Sequence, residues 1–150
     1  MVAEMARAGR PGSAIALYVW DYASGMELMR CFWDAAKALV PAASALDERV
    51  RFPGCAPAPL EALFTATGLS GVARAIDVQT RFRDFDDCWS PFLGGQGPAP
   101  GYAMSLPEDR RVALREAIRA SLPIASDGSI QLTARAWAVR GSKADITAPR

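Results

Sequence analysis

The chain has 150 residues, which is enough for one ordinary domain with a core of its own. Its composition is 51% hydrophobic and 22% charged, as in globular proteins, and the net charge of +1 excludes the basic surface of a nucleic-acid or membrane-surface protein. No apolar run is long enough to span a membrane, and the first residues lack the apolar segment of a signal peptide, so the expected compartment is the cytoplasm.

Cysteine and histidine usage limits the chemistry that this chain can carry. The three cysteines, Cys31, Cys55 and Cys88, are odd in number and have no metal-ligand spacing, which predicts free thiols and no metal site. Histidine is absent, so Ser-His-Asp and Cys-His catalysis and histidine-based metal binding are excluded within this chain.

The first elements alternate between helix and strand. Residues 2–8 are typical of a helix, closed by Gly9 and Pro11. The segment 14–20 is the one continuous apolar run with β-type residues, which predicts a strand buried on both faces, as in parallel sheets. Next, Ser24 and Glu27 have the spacing of a capping box, which predicts the start of a helix that Pro41 ends.

The middle of the chain has an irregular stretch before a second helix and strand. Residues 47–59 are polar and rich in proline, which favours a linker or surface loop. A helix is expected from Pro59 to a stop at Gly68, followed by a strand at 72–82. The first two strands are joined by helices and should therefore be parallel.

A helical insert is expected between the last two strands, at about residues 83–124. It begins with a short helix capped by Asp84 or Asp86 and continues through a glycine- and proline-rich loop at 94–101. A charged helix follows, opened by a second capping box at residues 105–108.

The last predicted elements are a strand at 130–139, after a turn at 127–128, and a polar tail at 141–150. The acidic run of Asp84, Asp86 and Asp87 precedes a helix, where carboxylates are favourable without any metal. A calcium site would need more oxygen ligands in a fixed loop, so no metal is expected there.

Five segments, in this order, carry a family resemblance: residues 10–12, 18–22, 26–33, 82–92 and 128–137. Together they resemble the C-terminal half of bacterial class I S-adenosylmethionine-dependent methyltransferases, over roughly residues 4–140. The resemblance implies that the three strands are the fifth, the sixth and an antiparallel seventh of that family's sheet. The expected fold class is therefore α/β, a partial Rossmann-like methyltransferase sheet with helices and a helical insert.

The resemblance also defines what this chain lacks. The family binds its cofactor with an N-terminal half, through a glycine-rich turn after the first strand and an acidic residue after the second. The glycines at 94–101 do not replace that turn, because they follow no predicted strand and no G-x-G-x-x-G motif is present. The resemblance implies S-adenosylmethionine as the cofactor of the whole enzyme, and it implies that this chain is the acceptor side, inactive alone.

Methyl transfer from a sulfonium needs positioning, a dry site and sometimes a base, and aromatic faces attract the sulfonium. Asp21 is the candidate catalytic residue, because ligands bind at the carboxyl ends of strands in open α/β sheets. The candidate substrate-binding residues are aromatic: Trp20, Tyr22, Phe32, Trp33, Trp89 and Phe92, with Phe85 beside them. Aromatic residues at helical spacing are also typical of a core, and Asp21 could cap a turn.

Two other functions are compatible with this sequence. The chain could be an interaction or dimerisation module, because its first strand would be an open sheet edge that another chain, or a second copy, completes. It could also be an unrelated α/β protein that binds a small molecule. The expected partners are a small organic acceptor or a second protein chain, with neither nucleic acid nor membrane.

Overall fold

The computed structural model describes residues 1–144 and shows a mixed α/β fold with a three-stranded open antiparallel sheet. The strands are β1 (Ala14–Trp20), β2 (Ser70–Phe82) and β3 (Ile130–Ser142). The α-helices are α1 (Val2–Ala8), α2 (Glu27–Leu39), α3 (Glu48–Arg51), α4 (Pro57–Thr65), α5 (Phe85–Trp89), α6 (Pro98–Ser105) and α7 (Glu108–Ser121). Short 3₁₀ helices cover Pro41–Leu46 and Ser90–Gly94.

The strand order is β1-β3-β2, so the last strand in sequence is central. β3 pairs antiparallel with β1, with Trp20 opposite Ala136. It also runs antiparallel to β2, where the Thr80 hydroxyl donates to the Leu132 carbonyl at 3.0 Å. The antiparallel last strand is thus confirmed. β1 and β2 share one direction, as expected, but they are not neighbours in the sheet.

The chain divides into two compact units, and the first consists of Met1–Asp21, Gly54–Asp77 and the residues from Arg135 onward. Its core is formed by α1, α4 and alternate residues of β1 and β3: Val2, Ala6, Ile15, Leu60, Phe64, Leu69 and Val139. The other face of β1 is open, with Tyr18 75% and Trp20 43% exposed. The prediction that this strand is buried on both faces is therefore wrong, because helices of the unit cover one face only.

The second unit consists of Tyr22–Pro53 and Val78–Ala134. Its core joins α2 to the helices of residues 85–121 and to the first residues of β3, Ile130 and Leu132. The helix α7 contributes Leu114 and Ile118, the inner residues that its periodicity predicts. The segment predicted as a helical insert is helical over most of its length.

Neither predicted capping box forms. α2 begins at Glu27 with Met26 at the N-cap position, and the Glu27 carboxylate accepts the Thr133 N–H at 2.6 Å. Ser105 is the last residue of α6, and its hydroxyl donates to the Tyr102 carbonyl at 2.8 Å. Local spacing is the same as in a capping box, but each side chain binds a different partner.

Other boundaries also differ from the predictions. Part of the expected loop at 94–101 is the start of α6, because Pro98 suits the first helical turn. The expected linker at 47–59 contains α3 and the start of α4. β3 extends to Ser142, inside the expected tail, and residues 145–150 of that tail lie outside the described residues. Within residues 1–144, no helix has the length and apolar character needed to cross a membrane.

Candidate functional site

Asp21 lies immediately after β1 and is only 1% exposed. Its backbone N–H donates to the Arg135 carbonyl at 2.8 Å, which extends the β1–β3 pairing by one residue and fixes the position of Asp21. A buried carboxylate is costly unless neighbouring groups stabilise it. The structure thus places the candidate catalytic residue at the carboxyl end of β1, as predicted.

A charged pair lies beside Asp21 in the same unit. The Arg135 guanidinium binds both carboxylate oxygens of Asp77, at 2.6 and 2.9 Å. It also lies 5.5 Å from the centre of the Trp137 ring, within range of a cation–π interaction. The hydrogen bond to Asp77, with a smaller effect of the Asp21 charge, raises the pKa of Arg135. Arg135 therefore remains positively charged near the buried Asp21 carboxylate.

Cys55 is the nucleophilic side chain whose protonation depends on Asp21. Partial burial raises the pKa of this thiol, and the negative charge of Asp21 raises it further. A thiol in that environment stays protonated at neutral pH, so it is a weak nucleophile. The group around Asp21 therefore consists of one buried carboxylate, one guanidinium that is paired with Asp77, and one protonated thiol.

The predicted aromatic residues of the second unit lie together in its core. The rings of Phe32 and Phe92 stack with centroids 4.6 Å apart, and Phe32 meets Trp33 edge to face at 5.0 Å. Trp89 contacts Phe92 at 5.5 Å. Phe32, Trp33 and Phe92 are at most 1% exposed and belong to the core of this unit.

Of the three remaining predicted aromatic residues, Trp20 and Tyr22 have partly open rings and Phe85 is buried. Trp20 lies on the open face of β1 in the first unit. Tyr22 is half-buried in the second unit, where its ring lies 5.8 Å from that of Phe52. Phe85 is buried beneath the guanidinium groups of Arg115 and Arg119, at 4.8 and 5.4 Å.

A cleft of about 360 Å³ opens on the helical segment of the second unit, between α7 and the residues that precede it. Its lining combines apolar and charged side chains: Trp89, Leu93, Met104, Glu108, Arg111, Val112 and Arg115. Both arginines are already paired, Arg111 with Glu108 and Arg115 with Asp86 and Glu116. A space of this size is adequate for a small organic molecule.

The described residues contain neither a nucleotide-cradling turn nor a cluster of metal ligands. In the described part of the chain, the glycine-rich segment at 94–101 follows a 3₁₀ helix and not a strand, so it does not form the strand-turn-helix that cradles a nucleotide. Residues 1–144 contain no group of three or more side chains that could hold a metal ion together. The acidic run of Asp84, Asp86 and Asp87 therefore does not form such a group. The Asp84 carboxylate instead accepts the Asp87 N–H at 2.8 Å and caps α5, as predicted.

The structure contains two groups of charged residues that the sequence did not predict. Asp77 and Arg135 are opposite charges on two predicted strands, a signal that becomes meaningful only when the strands are known to be neighbours. Asp47 and Glu48 lie in the segment expected to be a loop, yet both are buried. No pattern of spacing distinguishes these two acids from exposed ones.

Comparison with protein-family models and with curated proteins gives no match to this chain.

Proposed function

We propose that this chain is the acceptor-side, C-terminal portion of a class I S-adenosylmethionine-dependent methyltransferase that acts on a small organic acceptor. The observation that carries the proposal is Asp21, a buried carboxylate at the carboxyl end of β1. Ligand sites of open α/β sheets lie at strand carboxyl ends. The proposal gives the strands a Rossmann-like identity as the fifth, sixth and seventh of a larger sheet.

Strand direction supports the proposal. In the family that the sequence resembles, the last strand is antiparallel, and β3 runs antiparallel to both of its neighbours. β1 and β2 share one direction, as expected of the fifth and sixth strands. The helical segment between β2 and β3 corresponds to the insert.

Asp21 would act on the acceptor and not on the methyl donor. Its carboxylate is covered in this structure, at 1% exposure, so the groups around it would have to move before it could hold an acceptor hydroxyl, amine or thiol, or remove its proton as the methyl group arrives. Burial makes either interaction stronger than it would be in water. Because the described residues contain no nucleotide-cradling turn, the chain alone is expected to be inactive.

Complementation in trans tests the proposal. The partner is a separately expressed donor half of a small-molecule methyltransferase, from the glycine-rich first strand through the fourth strand. The mixture is expected to form a complex that binds S-adenosylmethionine, measured by isothermal titration calorimetry, whereas the chain alone gives no binding heat. Transfer of a radiolabelled methyl group to a panel of small phenols, amines and thiols is then measured.

The variant Asp21→Asn is expected to keep the complex and to lose transfer by at least about 100-fold, the range for loss of a general base. Asp127→Asn, a change of the same chemistry at an exposed turn, is the matched control and should leave transfer unchanged. Thermal unfolding of each variant shows whether the fold is kept. Failure to form any complex, or tight binding of S-adenosylmethionine by the chain alone, would contradict the proposal.

A second candidate function is favoured by one observation. β1 lies at the edge of the sheet, and its outward face exposes Tyr18 and Trp20. An uncharged edge strand is a template for pairing with another chain. The chain could therefore serve as a non-catalytic module that completes its sheet with a partner.

A further inference from the structure

The backbone of β1 presents one row of hydrogen-bonding groups to β3 and another to the open edge. The Ser13 carbonyl accepts the Lys143 N–H, and the Asp21 N–H donates to the Arg135 carbonyl. The backbone N–H and C=O groups of the odd-numbered residues therefore point towards β3. Peptide groups alternate in direction along an antiparallel strand, which points the N–H and C=O of Ala14, Ala16, Tyr18 and Trp20 away from β3. No other described strand pairs with them.

The two edges of the sheet differ in charge. β2, at the opposite edge, carries Arg74, Asp77 and Arg81, and charges of this kind discourage pairing with another chain. β1 carries no charged residue and no proline. The edge open to pairing is therefore the β1 edge.

We propose that the β1 edge pairs with β1 of a second copy of this chain. A twofold axis through Leu17 places Ala14 opposite Trp20 of the second copy and Ala16 opposite Tyr18. Each aromatic ring on the open face then covers an alanine, and both copies contribute identical pairs, as a closed dimer requires. All four outward residues fall in hydrogen-bonded positions, giving about eight new backbone hydrogen bonds.

Charge does not oppose this register. Beyond the ends of the strand, Asp21 falls opposite Ser13 of the second copy, and Arg10 falls opposite Ser24. No like charges meet along the pairing. On the inner face, Ile15 lies opposite Val19 of the second copy, and Leu17 lies opposite Leu17 of the second copy. The row of apolar side chains therefore continues across the twofold axis.

This inference deepens the second candidate function, because it names the partner, and it does not depend on methyl transfer. Under the first proposal, a donor half would pair at the same edge. Adding such a half should therefore dissociate the pair of identical chains.

Sedimentation equilibrium of the full chain is the first measurement, and a mass near twice 16.0 kDa is expected in the micromolar range. Ala16→Pro removes an outward N–H but no hydrogen bond to β3, so it should weaken association about tenfold or more. Ala16→Ser, which keeps the N–H, is the matched control and should remain dimeric. Far-ultraviolet circular dichroism checks that both variants fold.

A disulfide test examines the register directly. Mixing Ala16→Cys with Tyr18→Cys brings the introduced thiols to Cα positions about 5.5 Å apart, a distance that a disulfide spans. Each variant alone would place its two introduced thiols about 7–8 Å apart or more, too far for a bond. Oxidation followed by mass spectrometry should find the link between introduced cysteines in the mixture only.

A monomer at every concentration, an undiminished dimer of Ala16→Pro, or equal cross-linking in the single variants would each overturn self-pairing. None of these outcomes tests the methyltransferase proposal, which the complementation experiment decides. Conversely, failed complementation leaves a twofold dimer intact.

Discussion

The indole N–H of Trp33 donates a hydrogen bond to the carboxylate of Glu48, and both side chains are buried in the second unit. Trp33 comes from the middle of α2, whereas Glu48 is the first residue of α3. The bond connects the aromatic core to the segment after the 3₁₀ helix Pro41–Leu46. Next to it, Arg49 binds both Asp47 and Asp34, so the short helix is fixed by charged contacts on either side.

Trp33→Phe should destabilise the protein by about 1–3 kcal/mol more than Trp89→Phe, because it leaves the buried Glu48 carboxylate without the indole donor. Trp89→Phe removes a comparable volume from the same core but not this hydrogen bond. Urea unfolding measured by circular dichroism gives both free energies. Equal losses in the two variants would show that the Trp33–Glu48 bond contributes no net stability.

Gly141→Ala should destabilise the first unit by about 1–3 kcal/mol through overpacking. A Cβ atom at Gly141 would lie 2.9 Å from a ring carbon of Phe64 and 2.9 Å from the Ser70 carbonyl oxygen. Gly54→Ala is the control, since nothing lies within 4 Å of its Cβ position, and it should be neutral or stabilising by up to about 1 kcal/mol. Thermal unfolding compares the two, and an unchanged midpoint for Gly141→Ala would contradict the close contact.

The hydrogen bond from Arg135 holds the pKa of Asp77 below its ordinary value of 3.8. Because the folded value is depressed, the stability from this pair is complete above the unfolded value, near pH 4, and is lost as the pH falls through the folded value. Arg135→Gln should raise the pKa of Asp77, measured by carboxyl NMR titration. Arg74→Gln, on the opposite face of β2, should leave it unchanged.

Burial, with smaller effects of Cys31 and Asp87, raises the pKa of Cys88 to about 11. At pH 8 only about a thousandth of this thiol would be thiolate, so alkylation in the native protein should be very slow. Cys55, which is half-buried, should react faster under the same conditions. Iodoacetamide labelling with mass spectrometry tests the order, and urea should make all three cysteines reactive. If Cys88 in the native protein were labelled at the same rate as Cys55, the buried position of Cys88 would be excluded.

Elements with strong boundaries were predictable from the sequence. The turn at Pro11-Gly12 and the apolar run set the limits of β1, and the structure gives the same Ala14–Trp20. Which face of that strand is buried was not predictable, because burial depends on where α1 and α4 pack. A continuous apolar run has no polar face to reveal the difference.

Local motifs predicted the contact only where no other partner competed, whether that partner was near, as for Ser105, or distant. Asp84 caps α5 as its spacing predicts, whereas Glu27 binds Thr133, which is 106 residues away. The same limit applies to the candidate site. Asp21 at the end of β1 could be chosen from the sequence, but the Asp77–Arg135 pair beside it requires the pairing of β2 with β3.

The central position of β3 has a consequence for synthesis on the ribosome. β1 and β2 emerge first, yet in the sheet each of them pairs with β3, which is made last. Neither hydrophobic core can be completed before this strand is made, because Ile130 and Leu132 belong to one core and Val139 to the other. The nascent chain should therefore hold β1 and β2 without their partner strand until residues 130–142 have left the ribosome, and a chain arrested before Ile130 should require a chaperone or be degraded.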